Sequence, residues 1–376
     1  QTPAVAQTPA VAQTPAVAQP PVIEQPPVAA PPYLLNGRDQ QTLAALFPGL
    51  LADLVAAGAV RFNLGLHVAW SVNGRWRPRY YSAYEPVVCP SDLLLAALRK
   101  RLVEEMAVQF HAAAHQSRLE AASDLIVDTT GEANGTQNKP ALLAGAGRLY
   151  QWPDGHQTSW QMLVIEPDKP APEPRRGAVV LPFAAGQFYL ALWGTAADPP
   201  PLDEAAFMLF ARSLPNPALA ELLAQAAPLT AVRCLPTTNW SVRLSTTADR
   251  VQLPLPGYLP NPLLGQPVSH ALAVQAALID SLTEDRESDP LSATGNDCFQ
   301  RHLSHQLRPT NQLAQAETRR WALLNSDRGD LAPYLARVIA SSLHSGPLLE
   351  TLYAVQQGLA PLTRLFEPDV VLQTMS

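Results

Sequence analysis

Two pairs of histidines have a spacing that is typical of metal ligands on a helix. His111 and His115 are four residues apart, and His302 and His305 are three apart, so each pair would share one face of a helix. Few carboxylates lie nearby that could complete a ligand set. A surface or core role is therefore the favoured interpretation of both pairs, and a metal site is the alternative.

Other signatures of catalysis are missing from the sequence. It contains no Gly-x-Ser-x-Gly elbow, no His-Glu-x-x-His motif and no Walker loop. It also contains no glycine-rich loop that opens a helix, which is how dinucleotide-binding proteins bring backbone amides to a pyrophosphate. Motif spacing alone therefore leaves the catalytic residues unknown.

The composition excludes several classes of protein. Hydrophobic residues make up 47% of the 376 residues and charged residues 15%, which is typical of a packed globular protein. The formal net charge is −6, and the basic cluster Arg99 to Arg101 is typical of a solvated helix face, so nucleic-acid binding is not expected. No stretch is apolar over the roughly 18 residues of a membrane span. Three cysteines without recognisable spacing argue against a disulfide framework, so a cytoplasmic location is the expectation.

The first 32 residues differ from the rest of the chain. Residues 1–18 are three copies of Gln-Thr-Pro-Ala-Val-Ala, and residues 19–32 continue with Pro-Pro-Val units. Proline fixes φ and removes a backbone donor, so a disordered or extended proline-rich linker is predicted here. A ligand for a proline-binding module is the alternative. Because the chain begins with Gln1 and not Met, an upstream portion is also left open.

The spacing of apolar residues predicts a protein of mixed α and β structure. Helices are predicted at 41–60, 93–106, 203–213, 217–226, 270–282, 296–323, 331–343 and 348–359. Strands are predicted at 60–66, 68–72, 125–127, 148–152, 160–166, 178–183 and 187–193. Turn signals and proline-rich segments separate the last four strands, so an antiparallel sheet is predicted over residues 148–193.

Four tryptophans lie in or beside this predicted sheet: Trp152, Trp160, Trp193 and Trp240. Core packing is the favoured explanation of these side chains. An aromatic-lined apolar pocket is the alternative, because tryptophan is also common in the walls of small-molecule sites.

Five parts of the sequence carry a resemblance to a known family. They are 46–59 (LFPGLLADLVAAGA), 74–78 with 89–94, 124–131 (DLIVDTTG), 207–215 (FMLFARSLP) and 261–266 (NPLLGQ). Together, and in this order, they resemble bacterial FAD-dependent hydroxylases and epoxidases of the para-hydroxybenzoate hydroxylase-like class. The resemblance runs from about Tyr33 to the C-terminus.

The resemblance implies an α/β fold with α+β character. Residues 33–147 with 246–295 would form a partial FAD/NAD(P)-binding domain, residues 148–245 an inserted antiparallel β-sheet substrate domain, and residues 296–376 a helical C-terminal region. It implies FAD as cofactor, NAD(P)H as the candidate reductant and a hydrophobic small molecule as substrate. The cofactor-binding residues carried over from the family's motifs are Asp128, Gly131, Asn261, Pro262, Gly265 and Gln266.

The sequence departs from the family where FAD is held. The N-terminal Gly-x-Gly-x-x-Gly is missing, and Ser91, Glu132 and Leu255 stand where the family has Arg, Arg and Asp. Pro267 replaces the glycine that normally follows Gln266. Each lost charge-assisted contact removes roughly 1.5 to 3 kcal/mol of binding. Weak FAD binding is therefore expected, and an upstream fragment carrying the missing nucleotide-binding unit is a candidate partner.

Two functions follow from this sequence. The first is an FAD-dependent monooxygenase, an oxidoreductase that acts on a hydrophobic small molecule and is impaired in FAD binding. The alternative is a degenerate, non-catalytic relative that serves as a binding or scaffold protein. Function resides in the site and not in the fold, so the arrangement of the site has to separate the two.

Overall fold

The structure is a computed structural model. It describes residues 30–106, 126–128, 142–153, 155, 158–167, 175–183, 186–236, 245–247, 250–252, 258–264, 267–284, 293–322 and 330–375. Several residues discussed above lie outside these ranges, namely those of the proline repeats, His111, His115, Gly131, Glu132, Trp240, Leu255, Gly265 and Gln266.

The largest element is a twisted sheet. Its strands are β3 (Val68–Val72), β4 (Arg75–Trp76), β7 (Leu143–Gln151), β8 (Met162–Ile165), β9 (Gly177–Phe183), β10 (Gln187–Thr195), β11 (Ala227–Pro228) and β12 (Arg233–Leu235). The order is β11-β7-β10-β9-β8-β3-β4, with β12 also paired to β7. Strands β3 and β8 run parallel, and the other described pairs of this sheet are antiparallel.

The antiparallel sheet predicted over residues 148–193 is confirmed, but its strand order is not simply sequential. Strands β8, β9 and β10 follow one another as a meander, whereas β7 pairs with β10 on the far side. Strand β3 also joins this sheet, through β8. The Asn73-Gly74 turn signal was right, since both residues have positive φ, 49° and 72°, between β3 and β4. The domain boundaries stay a prediction.

Two small sheets accompany the large one. The first contains β1 (Tyr33–Leu35), β5 (Val87–Cys89) and β2 (Val60–Arg61), in the order β1-β5-β2. The second contains β13 (Ser245–Thr247), β14 (Arg250–Gln252) and β6 (Ile126–Asp128), with β6 parallel to β14.

The helices follow the predicted segments closely. They are α1 (Gly37–Leu46), α2 (Leu50–Ala56), α3 (Ser91–Met106), α4 (Glu204–Arg212), α5 (Pro217–Leu223), α6 (Pro267–Glu284), α7 (Ala293–Ala322), α8 (Ala332–Ser342), α9 (Gly346–Gln356) and α10 (Pro368–Met375), with a 3₁₀ turn at Leu362–Phe366. The helix predicted over 41–60 is two helices, because Pro48 cannot donate to a helical hydrogen bond and Gly49 adopts a φ of 85°.

Both faces of the large sheet are covered by helices. Along β8, Met162 and Val164 face one hydrophobic cluster, which also contains side chains of α8 and α9. Leu163 and Ile165 face the other cluster, which contains side chains of α4 and α5. Alternate residues of a strand point to opposite faces, so a strand buried on both sides reads as one continuous apolar run.

Candidate functional site

Glu166 is the centre of a buried charged network on the α8 and α9 side of the large sheet. It directly follows β8, and only 2% of its surface is exposed. Trp70 Nε1 donates to Glu166 Oε1 at 2.8 Å, and Arg320 Nη1 donates to Oε2 at 2.6 Å. Arg77 lies 3.7 Å from Oε1 and stacks over the Trp70 ring. Burial alone would raise the pKa of Glu166, but attraction to Arg320 and Arg77 outweighs it and holds the pKa below its usual value.

Arg320 links Glu166 to a second buried carboxylate, Glu317. Arg320 Nε donates to Glu317 Oε2 at 2.8 Å, and its Nη1 bonds Glu166. Burial lowers the pKa of Arg320, but the two carboxylates more than compensate and raise it. The network thus contains two arginines and two carboxylates, whose side chains are at most 10% exposed and balance one another in charge.

Glu317 extends the network to the loop that precedes α6. Asn261 Nδ2 donates to Glu317 Oε1 at 3.0 Å, and Gln356 Nε2 approaches the same oxygen at 3.4 Å. Asn261 Oδ1 accepts from Leu263 N at 3.0 Å, which fixes the turn of the loop. A chain of buried polar contacts therefore joins this loop to β8 of the large sheet.

The predicted cofactor-binding residues fall on different elements. Asn261 and Pro262 are buried in the loop before α6, and Asp128 is the last residue of β6. Gly131, Gly265 and Gln266 lie outside the described residues. The cofactor-binding set therefore stays a prediction. Sequence reasoning found Asn261 through the family motif but missed its partner Glu317, for which the sequence offers no motif.

A second buried polar cluster lies where helices α1 and α6 begin. Asn36 caps α1 by accepting from Asp39 N, and Asp39 Oδ2 accepts from Asn36 N at 3.1 Å. Ser269, in the first turn of α6, donates to Asp39 Oδ2 at 2.8 Å. Burial raises the pKa of Asp39 to about 7, although hydrogen bonds from Ser269 and Asn36 and attraction to Arg38 oppose the rise. The spacing Asn36-x-x-Asp39 is the signal that could have predicted this capping box.

Three features of the described residues bear on anion binding, namely Ser91, Pro267 and the Asp39 cluster. Ser91 is the first residue of α3, buried and without charge, where the family has an arginine. Helix α6 begins at Pro267, which has no backbone N–H to offer an anion. The nearby donors Asn36 N and Ser269 Oγ are already engaged by the chain's own Asp39.

Two open grooves lie on the protein, and the larger one is bordered by Asn36, Asp39 and Ser269 of the second cluster. The larger has a volume of about 940 Å³ and is formed by α1, α6, α7 and α9 together with Leu263 and Leu264 of the loop. The second, of about 790 Å³, has Trp152 and Trp160 in its wall. Trp193, by contrast, is 2% exposed and part of the core. Core packing therefore accounts for Trp193, whereas Trp152 and Trp160 border open space.

One histidine of the pair on α7, His302, lies near a carboxylate. His302 Nδ1 lies 4.0 Å from Asp280 Oδ2. Among the residues that the structure describes, no three His, Cys, Asp or Glu side chains are placed to share a metal ion. In the same residues, no helix combines the length and the hydrophobicity that crossing a bilayer requires.

Comparison with known proteins identifies the fold. The structure of the flavin-dependent brominase Bmp2 matches with a TM-score of 0.59 at 14% identity, over 89% of this chain and 85% of the brominase. PqsL, a probable FAD-dependent monooxygenase from Pseudomonas aeruginosa, matches with a TM-score of 0.54 at 12% identity, over 86% of this chain and 92% of PqsL. The p-nitrophenol 4-monooxygenase PnpA from Pseudomonas putida DLL-E4 matches with a TM-score of 0.51 at 15% identity, over 90% of this chain and 87% of PnpA.

No protein-family model matches the sequence, and no curated protein matches it either. The chain nevertheless has the mixed α/β fold seen in FAD-dependent monooxygenases, so the fold that the sequence resemblance implied is confirmed.

Proposed function

We propose that this chain is an FAD-dependent monooxygenase in kind, that it acts on a hydrophobic small molecule, and that its hold on FAD is weak. The observation that carries the proposal is the buried path from Asn261 through Glu317 and Arg320 to Glu166. In enzymes of this class the cofactor supplies the redox chemistry, and the protein contributes the pocket and the loop beside the flavin ring. The path fixes that loop against the large sheet.

The desolvation free energy of the buried network supports a role in positioning the loop at Asn261. Taking a carboxylate or guanidinium group out of water costs several kcal/mol per ion, and apolar side chains of similar volume would often be as stable. A buried network that joins the loop to the sheet therefore has more use in fixing their relative position than in stability. Such positioning is what a reaction between a cofactor ring and a bound substrate requires.

The weak hold on FAD rests on the positions that contact the cofactor in the family. Ser91 supplies no cation, and Pro267 supplies no backbone donor. Glu132 and Leu255, which are outside the described residues, replace an Arg and an Asp in the sequence. Several contacts of roughly 1.5 to 3 kcal/mol each exceed what the loop at Asn261 offsets.

Flavin fluorescence titration of the full chain tests the proposal. We expect weak FAD uptake in the native chain and tighter uptake in the triple variant Ser91→Arg, Glu132→Arg, Leu255→Asp. The control is Ala96→Arg, which adds one positive charge at an exposed position of α3, as Ser91→Arg does at the start of the same helix. Stoichiometric uptake by the native chain at submicromolar FAD would contradict the weak hold. Oxidation of NAD(P)H that depends on FAD and rises with an apolar substrate would establish the oxidoreductase activity.

The second candidate function is a non-catalytic binding or scaffold protein. The observation that favours it is the Asp39 cluster, in which the chain's own carboxyl group occupies donors at the start of α1 and α6. If the triple variant also takes up no FAD, alone or with an added fragment that carries a nucleotide-binding unit, this second function is favoured.

A further inference from the structure

The larger groove has the dimensions of a ligand site. Its volume of about 940 Å³ lies within the roughly 300 to 1,000 Å³ that small-molecule sites occupy. Leu272, Ala273 and Ala276 of α6 line one side of it. Leu359 and Phe366, which also line the groove, are 36% and 50% exposed. The groove thus offers apolar surface that the described residues leave exposed.

Cations border the same groove on α7. Arg301 and Arg308 are seven residues apart, which places them on one side of the helix about 10 Å from each other. His305 lies between them and also lines the groove. Both arginines are exposed, and within the described part of the chain neither forms an ion pair with a carboxylate. Their guanidinium groups are therefore available to a ligand.

Charge in the groove is opposite to that of the whole chain. The formal net charge of the protein is −6, whereas the described residues that line the groove include three arginines and one carboxylate. The third arginine is Arg38, whose Nη2 donates to Gln306 Oε1 at 2.5 Å. The one carboxylate is Asp39, which is buried and bonded to Asn36 and Ser269. An anion in this groove would meet little repulsion from the protein that surrounds it.

We propose that this groove binds an amphiphilic carboxylate, of the kind represented by a medium-chain fatty acid. The apolar body would lie against α6 and beside Leu359 and Phe366, and the carboxylate would pair with Arg301 or Arg308. Guanidinium and carboxylate groups form two parallel hydrogen bonds, which favours a carboxylate over a neutral polar group. The groove adjoins the loop at Leu263 and Leu264, and the proposal does not depend on whether the chain binds FAD.

Calorimetric titration of the full chain with decanoate and, separately, with 1-decanol tests the proposal. We expect one decanoate per chain and an affinity at least tenfold higher than that for decanol. In the double variant Arg301→Ala, Arg308→Ala, the decanoate affinity should fall at least tenfold while decanol binding stays unchanged. Lys100→Ala, which removes an exposed cation from α3, is the control and should leave both affinities unchanged.

A second variant tests the apolar part of the site. Ala276 is half-buried in the groove wall, so Ala276→Phe should fill the space and weaken both probes at least tenfold, with circular dichroism confirming that the variant is folded. Equal binding of decanoate to the native chain and to the double arginine variant would overturn the proposal. So would equal affinities for decanoate and decanol, or no binding of either probe.

Discussion

Glu166 and Asp39 are both carboxylic acids that the fold takes almost completely out of water, with 2% and 3% of their surfaces exposed. Glu166 lies between two buried arginines, and its pKa is held below the usual value. Asp39 has neutral partners, Asn36 and Ser269, and burial raises its pKa to about 7. The two carboxyl groups are buried to the same extent, so their partners account for the difference in pKa. Charged partners keep a buried carboxylate ionised, and neutral partners do not.

The two clusters also differ in what they connect. The Glu166 network joins the large sheet to the loop at Asn261 across three chain segments. The Asp39 cluster closes the starts of two helices with the chain's own carboxyl group. The Glu166 network thus links separate parts of the fold through paired charges, whereas the Asp39 cluster is a local contact between the starts of α1 and α6.

The largest loss of stability is expected for a substitution in the Glu166 network. Glu166→Gln keeps the shape of the side chain and an acceptor for Trp70, but leaves Arg77 and Arg320 buried with Glu317 as the remaining network carboxylate. Breaking a buried ion pair in this way costs about 3 to 5 kcal/mol of unfolding free energy. Urea denaturation at pH 7 measures it.

The control for this substitution is a surface ion pair. Glu367 lies 2.8 Å from Arg364 and is 54% exposed, and Arg364 keeps Asp369 as a second partner. Glu367→Gln should cost about 0 to 1 kcal/mol. If Glu166→Gln lowers the free energy of unfolding by no more than this control does, the ionic pairing of Glu166 does not stabilise the fold.

Much of the fold that frames these clusters was predictable. The apolar run Met162 to Ile165, the Asn73-Gly74 turn and the amphipathic helices are local signals, and each lies where the sequence predicted it. The pairing of β7 with β10 was not predictable, because antiparallel neighbours depend on which strands meet in three dimensions. The division of the first helical segment was missed, although Pro48-Gly49 is a local helix-breaking signal.

The candidate site was less predictable than the fold. Asn261 was found because its loop resembles a family motif, but Glu317 and Arg320 look like solvated residues of a long polar helix. Glu166 ends the strand predicted over 160–166, and nothing in the sequence shows that its carboxylate is buried. Its partners Arg77 and Arg320 come from distant parts of the sequence, and only folding brings the three together.

The second prediction uses the raised pKa of Asp39. The folded pKa is about 7 and the unfolded pKa about 4, so the folded state binds this proton more tightly. The associated stability is fully present below about pH 4 and is lost as the pH rises through 7. Asp39→Asn cannot titrate, so the native chain should lose on the order of 2 to 3 kcal/mol more than the variant between pH 4.5 and pH 8.

Urea denaturation at the two pH values measures that difference. His270, whose pKa burial lowers to about 4, is present in both proteins, so its contribution cancels in the comparison. Asp92→Asn, at an exposed carboxylate of α3, is the control and should behave like the native chain. Equal pH dependence in the native chain and Asp39→Asn would contradict the raised pKa.

The third prediction concerns the close packing beside the Glu166 network. A Cβ atom on Gly177 would lie 2.6 Å from Ile165 O and 2.6 Å from the Trp321 ring. Trp321 follows Arg320, so Gly177→Ala should push this end of α7 away from the sheet and cost about 1 to 2 kcal/mol. Gly346→Ala is the control, because nothing lies within 4 Å of its added Cβ, and it should stay within about 0.5 kcal/mol of the native chain. Thermal unfolding compares the two, and equal melting temperatures would mean that the sheet and α7 are not closely packed.

The smallest expected loss of stability is that of Ser269→Ala. This substitution tests how much the hydrogen bond from Ser269, as distinct from burial, affects the pKa of Asp39. Ser269 Oγ donates to Asp39 Oδ2 at 2.8 Å, and this bond lowers the pKa that burial raises. Ser269→Ala removes a bond to a neutral acid at pH 5 and a bond to a carboxylate at pH 8. A hydrogen bond to a charged group contributes more, so the cost should be about 0.5 to 1 kcal/mol at pH 5 and about 1.5 kcal/mol at pH 8. The pH at which the chain loses the stability linked to Asp39 should also move upward.

Ser342→Ala is the matched control for this last comparison. Ser342 is also buried, but its hydroxyl donates at 2.7 Å to the backbone oxygen of Ile339, which does not titrate. The cost of Ser342→Ala should therefore be the same at pH 5 and pH 8. If Ser269→Ala shows the same cost at both values as well, Ser269 does not stabilise the ionised form of Asp39. In that case the pKa of Asp39 is set by burial and by Asn36, and the contrast with Glu166 would rest on the arginines alone.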